Sequence, residues 1–228
     1  MDAEISGAYA TYTERVRGMG GSAREDRERL LWFAVRVGTQ YHVHALNDRM
    51  QVSSIKRIIP GGEFDGIYAP EPEIWAQYIE PLVRSLSAKL GEEDALVDLS
   101  AVAPEEKGLL KALQISVPGA GSGKFAAARS LLRKAVDRPR DIILRQTREC
   151  NVLGIALRKQ KDLDGALEHY HKAVRATPED EHLLFNMARA YFEKGEMDEC
   201  RNLLEECLAR RPDFPEAQAF LRYLDARR

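Results

Sequence analysis

The chain is predicted to be mainly α-helical, with an array of paired helices in its C-terminal half preceded by a small α+β region that contains a β-hairpin. Three observations carry this reading. The segments ending at Pro178 and Pro212 superpose at a spacing of 34 residues, with small and large apolar residues recurring in the same order. Two runs rich in aromatic and β-branched residues, Trp32 to Val37 and Tyr41 to Leu46, flank Gly38-Thr39-Gln40 as the strands of a hairpin do. Between hairpin and array, Ile74 to Leu90 keeps the apolar period of an amphipathic helix.

Taken from the N-terminus, residues 1–20 contain Tyr9, Tyr12 and the break Gly18-Met19-Gly20-Gly21, and are expected as a tail or a loosely held helix. Residues 21–69 form a small β-containing segment. A helix over 25–37, opened by Ser22 and Glu25, is the competing reading, because Leu30, Phe33, Ala34 and Val37 also fit a helical period. In the favoured hairpin Phe33, Val35 and Val37 share one face, with Tyr41, Val43 and Ala45 across from them, and Gln51 to Ile59 is a third strand. Pro60-Gly61-Gly62 ends that strand and Pro70-Glu71-Pro72 punctuates the next segment. Residues 70–104 are a helical connector, made of the helix up to Leu90 and a short one from Glu92 to Leu99.

The array occupies the rest of the chain. Residues 147–180 carry Leu153-Gly154, Leu157, Ala166, Tyr170, Ala173 and Pro178. Residues 181–214 carry Met187-Ala188, Tyr191, Cys200, Leu204, Cys207 and Pro212 at the same places. Small residues at three of these positions let two helices approach closely, larger ones fill the space between them, and proline ends the second helix. In spacing and residue size this pattern resembles the tetratricopeptide repeat (TPR) family. The resemblance implies a right-handed helical solenoid of about three units plus a cap helix. A degenerate unit at 105–142 carries Gly123-Lys124-Phe125, Ala128, Leu132 and Ala135 in the turn and second helix, and residues 215–228, with Phe220, Leu221 and Leu224, are the solubilising cap. The same C-terminal helix, through Phe220, Tyr223 and Leu224, is the place where a homodimer would form.

Composition narrows the class of function. Hydrophobic residues are 44% and charged residues 31%, with 34 Lys and Arg against 36 Asp and Glu, a formal net charge of -2. That balance argues against a nucleic-acid binder, and the absence of an 18-residue apolar run argues against a membrane span. Met1-Asp-Ala-Glu-Ile shows no basic segment leading into an apolar one, so no signal peptide is expected and the location is read as cytoplasmic. The balance is a sum of opposed stretches, -9 from Glu63 to Glu106 and +8 from Lys107 to Arg148, read as surfaces lying against each other or as solvated helix faces.

No catalytic constellation stands out, and the chain is read as a non-enzyme without cofactor or metal. His42 and His44 share a strand face but lack a third ligand, and are expected as surface or cross-strand histidines. His169 and His171, two apart on a helix, diverge. Cys200 and Cys207 sit where the repeat wants a small buried residue, not a redox or metal pair. The glycine-rich run 119–124 resembles a phosphate loop, but Pro118 stands at the required first glycine and Phe125 replaces the hydroxyl that would bind magnesium. Nucleotide binding there is a remote alternative.

The TPR resemblance implies an interaction module that binds a peptide or protein segment in a concave groove. At its ligand-facing positions stand Arg148, Asn151, Ile155 and Arg158 in the first clear repeat, and His182, Phe185, Asn186, Arg189 and Phe192 in the second. This mixture of basic, amide and aromatic groups suits a partner with acidic and apolar side chains. Asn151 and His182 occupy the lysine positions of the two-carboxylate clamp found in chaperone-binding members, so chaperone tails are not expected ligands. The alternative is a regulatory or secretion-chaperone protein with an N-terminal sensor segment and the repeats as output.

Overall fold

A computed structural model describes residues 2–17, 24–91, 99–117 and 125–226, which form two compact units, Met1–Ile143 and Leu144–Arg228. The short helix expected at 92–99 and the glycine-rich loop 119–124 fall largely or wholly outside the described residues.

The first unit is built on a five-stranded antiparallel sheet in the order β4-β3-β2-β1-β5: β1 (Ala3–Arg17), β2 (Arg24–Val37), β3 (Gln40–Leu46), β4 (Val52–Pro60) and β5 (Ala69–Pro70). The N-terminal segment is thus a strand rather than a tail or helix. Its alternation is masked by a bulge between Ile5 and Gly7, where Gly7 adopts φ 123°. The extra residue lets Ile5 and Ala8, three apart, serve the same core.

The β2–β3 hairpin is present, but its register differs by one residue from the expected pairing. Val37 pairs with Gln40 around a two-residue turn in which Gly38 takes φ 60°. Phe33 and Val35 therefore face His44 and His42, while Trp32, Ala34 and Arg36 face Ala45, Val43 and Tyr41. A one-residue slip moves every side chain to the other face. Consequently His42 and His44 are buried, not at the surface. His44 is fully buried, with Nε2 3.0 Å from Ser116 Oγ, and Lys56 Nζ beside it donates to the Ile115 carbonyl at 2.9 Å.

Helices cover both sheet faces. On one side α1 (Gly61–Ile67) places Phe64 between Tyr41 and Tyr68, with stacked rings 3.8 and 4.7 Å apart, and Arg57 lies 5.0 Å over Trp32. The other face packs against three helices. The first is a continuous rod of α2 (Pro72–Ile74), a π-helical turn (Trp75–Ile79) and α3 (Glu80–Leu90). The others are α4 (Pro104–Ser116) and α5 (Ala126–Asp137). Phe33, Val35, Trp75, Leu86, Leu109 and Leu132 share this core.

The helix pair expected as the degenerate first repeat is helical, but its apolar faces belong to the sheet, and the compact unit ends at Ile143 rather than near residue 104. Gly108 shows why: a Cβ there would come within 2.1 Å of the Val52 carbonyl oxygen, so α4 lies directly on the β4 backbone. Glu106 fixes the start of α4, accepting from the Ala103 amide at 2.7 Å, Ser85 Oγ at 2.6 Å and Lys89 Nζ at 2.7 Å.

Candidate interaction surface

The second unit contains the residues of α6 (Pro139–Lys159) from Leu144 onward, then α7 (Leu163–Ala176), α8 (Glu181–Lys194), α9 (Met197–Arg210) and α10 (Pro215–Asp225). Local signals set each boundary. Asp162 caps α7 by accepting from the Gly165 amide at 3.0 Å, and Asp180 caps α8 through the His182 amide at 3.0 Å. Gly195 closes α8 in the left-handed conformation at φ 88°, and Pro215 opens α10 at the first helical position. Small residues bring the helices together as the repeat pattern requires. Ala166, Ala173, Ala188, Cys200 and Cys207 are fully buried, with burial raising both thiol pKa values to about 11.

α6, α8 and α10 lie side by side. Asn186 Nδ2 donates to Asn151 Oδ1 at 2.9 Å, joining α6 to α8. Arg158, only 7% exposed, pairs with Glu193 across the same two helices, and Lys161 reaches that carboxylate at 2.9 Å. Burial alone would raise the Glu193 pKa, but hydrogen bonds from Lys161 and Arg158 hold it below the usual carboxylate range. Phe185 and Phe192 each lie 5.1 Å from an α10-side ring, Phe214 and Phe220 respectively, and His182 lies 5.0 Å from Phe214.

The nine expected groove residues thus separate into groups. His182, Phe185 and Phe192 pack against the cap and its lead-in, Asn151 and Asn186 hold each other, Arg158 is an internal ion-pair member, and Ile155 packs beside Tyr170 and Met187. Arg148 and Arg189 remain exposed. Phe220 and Leu224 also turn inward onto this cluster, as in a cap, while Tyr223 is exposed.

Glu193, which organises Arg158 and Lys161, escaped the residue-by-residue reading, as did two apolar side chains on α6. Leu144 and Val152 are 40% and 64% exposed, and they flank Arg148 at steps of four residues, so they share its helix face. That spacing is readable in the sequence once the helix is known to start before residue 147. Among the described residues no group of three His, Cys, Asp or Glu side chains is placed to hold a metal ion, and no helix is long and apolar enough to cross a membrane.

A solved structure titled MamA MSR-1 C2 is similar over 54% of this chain and 75% of its own, at 20% identity and a TM-score of 0.33. Residues 157–222 match the family model described as Tetratricopeptide repeat. That match, together with the paired helices at a 34-residue period, identifies a tetratricopeptide repeat array within the second unit.

Proposed function

We propose that this chain works, as tetratricopeptide repeats generally do, as a protein–protein interaction module, with the α6–α8 face as its working surface for a protein segment bearing acidic and apolar side chains. One observation carries the reading. Arg148, Lys159, Arg189 and Arg222 have no carboxylate partner among the described residues, and all four stand on the inner helices α6, α8 and α10. Other cations of the unit are paired: Lys172 with Glu168 on α7, Arg201 of α9 with Asp225, Arg210 with Glu206 on α9, and Lys194 at the end of α8 with Asp164. Uncompensated positive charge beside the exposed Leu144 and Val152 favours a partner that supplies both carboxylates and apolar groups.

The test is site-specific photo-crosslinking from Val152 in the full chain, followed by affinity measurement with the captured segment. An Arg148→Glu/Arg189→Glu variant is expected to lose about tenfold or more in affinity, and a partner peptide with lysines in place of its acidic residues should regain part of it. Arg158 is left untouched, because reversing a buried ion-pair member would confound binding with folding. Unchanged affinity in the double variant removes this face as the site.

A further inference from the structure

The sheet of the first unit ends in two outer strands, and they are not equally guarded. β5 is only two residues long, too short to template another strand, whereas β4 runs from Val52 to Pro60. The start of β4 is covered, because α4 lies on the Val52 carbonyl at Gly108, and the Ile55 amide turns back to Ser53 Oγ at 3.2 Å. From Lys56 to Pro60 the strand is regular and pairs residue for residue with His44 to Gln40. The Gly61 amide, which donates to the Thr39 carbonyl at 2.9 Å, fixes the phase of that ladder. Antiparallel strands direct alternate residues toward one neighbour, so Arg57 and Ile59 bond to β3, and the backbone groups of Lys56, Ile58 and Pro60 point away from the sheet. No other backbone group among the described residues bonds to them.

The cations that ordinarily keep such an edge single are withdrawn from it. Lys56 Nζ turns to the Ile115 carbonyl at 2.9 Å, and the Arg57 guanidinium lies 5.0 Å over Trp32. What remains at the rim is apolar, with Ile58 50% and Ile55 60% exposed. We propose that β4 pairs with β4 of a second copy, antiparallel about a two-fold axis at Ile58, so that the two five-stranded sheets join into one. In this register each Ile58 donates to and accepts from Ile58 of the other copy, and each Lys56 amide donates to the other copy's Pro60 carbonyl. Pro60, with no N–H to give, omits only the outermost bond at each end. On the Lys56 face the two Ile58 side chains meet directly, and on the opposite face each Arg57 stands across from Ile59. An axis at Arg57 would set two arginines opposite each other, which selects Ile58. A second copy is the fitting occupant because the edge complements itself in both hydrogen bonds and apolar contact, as a two-fold interface must. The contact is independent of the α6–α8 face, and a dimer held by it carries two such faces.

The test is sedimentation velocity of the full chain over a concentration series. A reversible monomer–dimer equilibrium in the micromolar range is expected, since one strand edge is a small interface. Ile58→Pro removes an outward donor and leaves the ladder to β3 intact, so it should abolish the dimer while the protein stays folded by tryptophan fluorescence. Ile58→Lys, which sets like charges opposite each other, should abolish it too and does not depend on a proline being tolerated. Ile58→Cys checks the register. Its two thiols, directly opposed, should form an intermolecular disulfide on mild oxidation, whereas Ile55→Cys, placed across from Gly61 of the other copy, should not. The native cysteines are buried and do not compete. A wild type that remains monomeric throughout the series overturns the proposal, and so does a dimer that survives both Ile58→Pro and Ile58→Lys. A disulfide formed by Ile55→Cys in preference to Ile58→Cys overturns the two-fold at Ile58.

Discussion

Gly154 on α6 lies flat against the ring of Tyr170 on α7, so closely that a Cβ at position 154 would be 2.5 Å from Tyr170 Cε1 and 2.9 Å from Cζ. The ring is buried, boxed in by Leu167, Met187 and Ala190. Alanine at 154 would gain roughly 1 kcal/mol of helix propensity, yet overpacking of this kind costs about 1–3 kcal/mol or more where the neighbour cannot move. Gly154→Ala is therefore expected to destabilise the second unit on balance. Urea unfolding followed by far-UV circular dichroism checks this, and Tyr170→Leu in the same background should restore part of the loss. A more stable Gly154→Ala protein would show that the ring is free to shift.

A still tighter approach in the first unit makes a second prediction. The Cβ of an alanine at 108 would stand 2.1 Å from the Val52 carbonyl oxygen, which belongs to strand backbone and cannot rotate away as a side chain can. Gly108→Ala must lift α4 off β4 and disturb the core around Leu109 and Leu113, at a cost of several kcal/mol by the scale of core overpacking. Both tryptophans, Trp32 and Trp75, are buried in this unit, so their fluorescence reports its unfolding and is silent about the repeats. The expected result is an early fluorescence transition in Gly108→Ala with the repeat transition unmoved.

These two glycines also mark what could and could not be read from the chain. Gly154 announces itself because its place recurs as Ala188 at a spacing of 34 residues, and recurrence converts a single small residue into a packing rule. Gly108 has no such echo. Its helix shows an apolar face but not what that face meets, so α4 and α5 look like repeat helices while actually covering a sheet. β1 was hidden for a different reason, since the bulge at Ser6 breaks the period of two on which strand recognition depends. At the candidate surface, position within the repeat selects residues near the inner face but cannot say which are consumed by neighbours. The cap took Phe185 and Phe192, and Glu193 took Arg158, because α10 and position 193 contribute partners that no repeat alignment weighs.

The buried histidines give the first unit an acid-sensitive stability. Burial pushes the His44 pKa down to about 4, helped by repulsion from Lys56 and His42, and burial lowers His42 as well. Since the folded-state value lies below the ordinary 6.5, the unfolded chain takes up the proton first as the pH falls. Stability is complete above about pH 6.5 and declines through the window down to about 4, by up to about 3 kcal/mol from His44. Tryptophan-monitored unfolding across that range should show this acid limb, and His44→Gln should flatten it. A limb of unchanged depth in His44→Gln assigns the loss to other groups. An NMR titration of the His44 ring in the wild type gives the pKa directly and does not depend on the variant folding.

The three cysteines offer a probe of how the repeats open. Cys150, Cys200 and Cys207 form no disulfide and are fully buried, and Cys207 Sγ lies 3.4 Å from the Glu181 carbonyl oxygen, to which it donates. For Cys200 and Cys207 a pKa near 11 leaves only about one thiol in a thousand ionised at pH 8, and the thiolate is the species that reacts. Native protein is therefore expected to be almost inert to alkylating reagents, with modification limited by opening of the surrounding helices. Cys200 and Cys207 share a core with Phe214 and Leu224, so unseating α10 should expose both together, whereas Cys150 packs with Ala173 and Leu183 and should respond separately. Leu224→Ala, which loosens α10, should accelerate labelling of Cys200 and Cys207 in step and leave Cys150 slow. Mass spectrometry of time-quenched samples resolves the three sites, and prompt reaction of Cys200 or Cys207 in the wild type would contradict their place in the core.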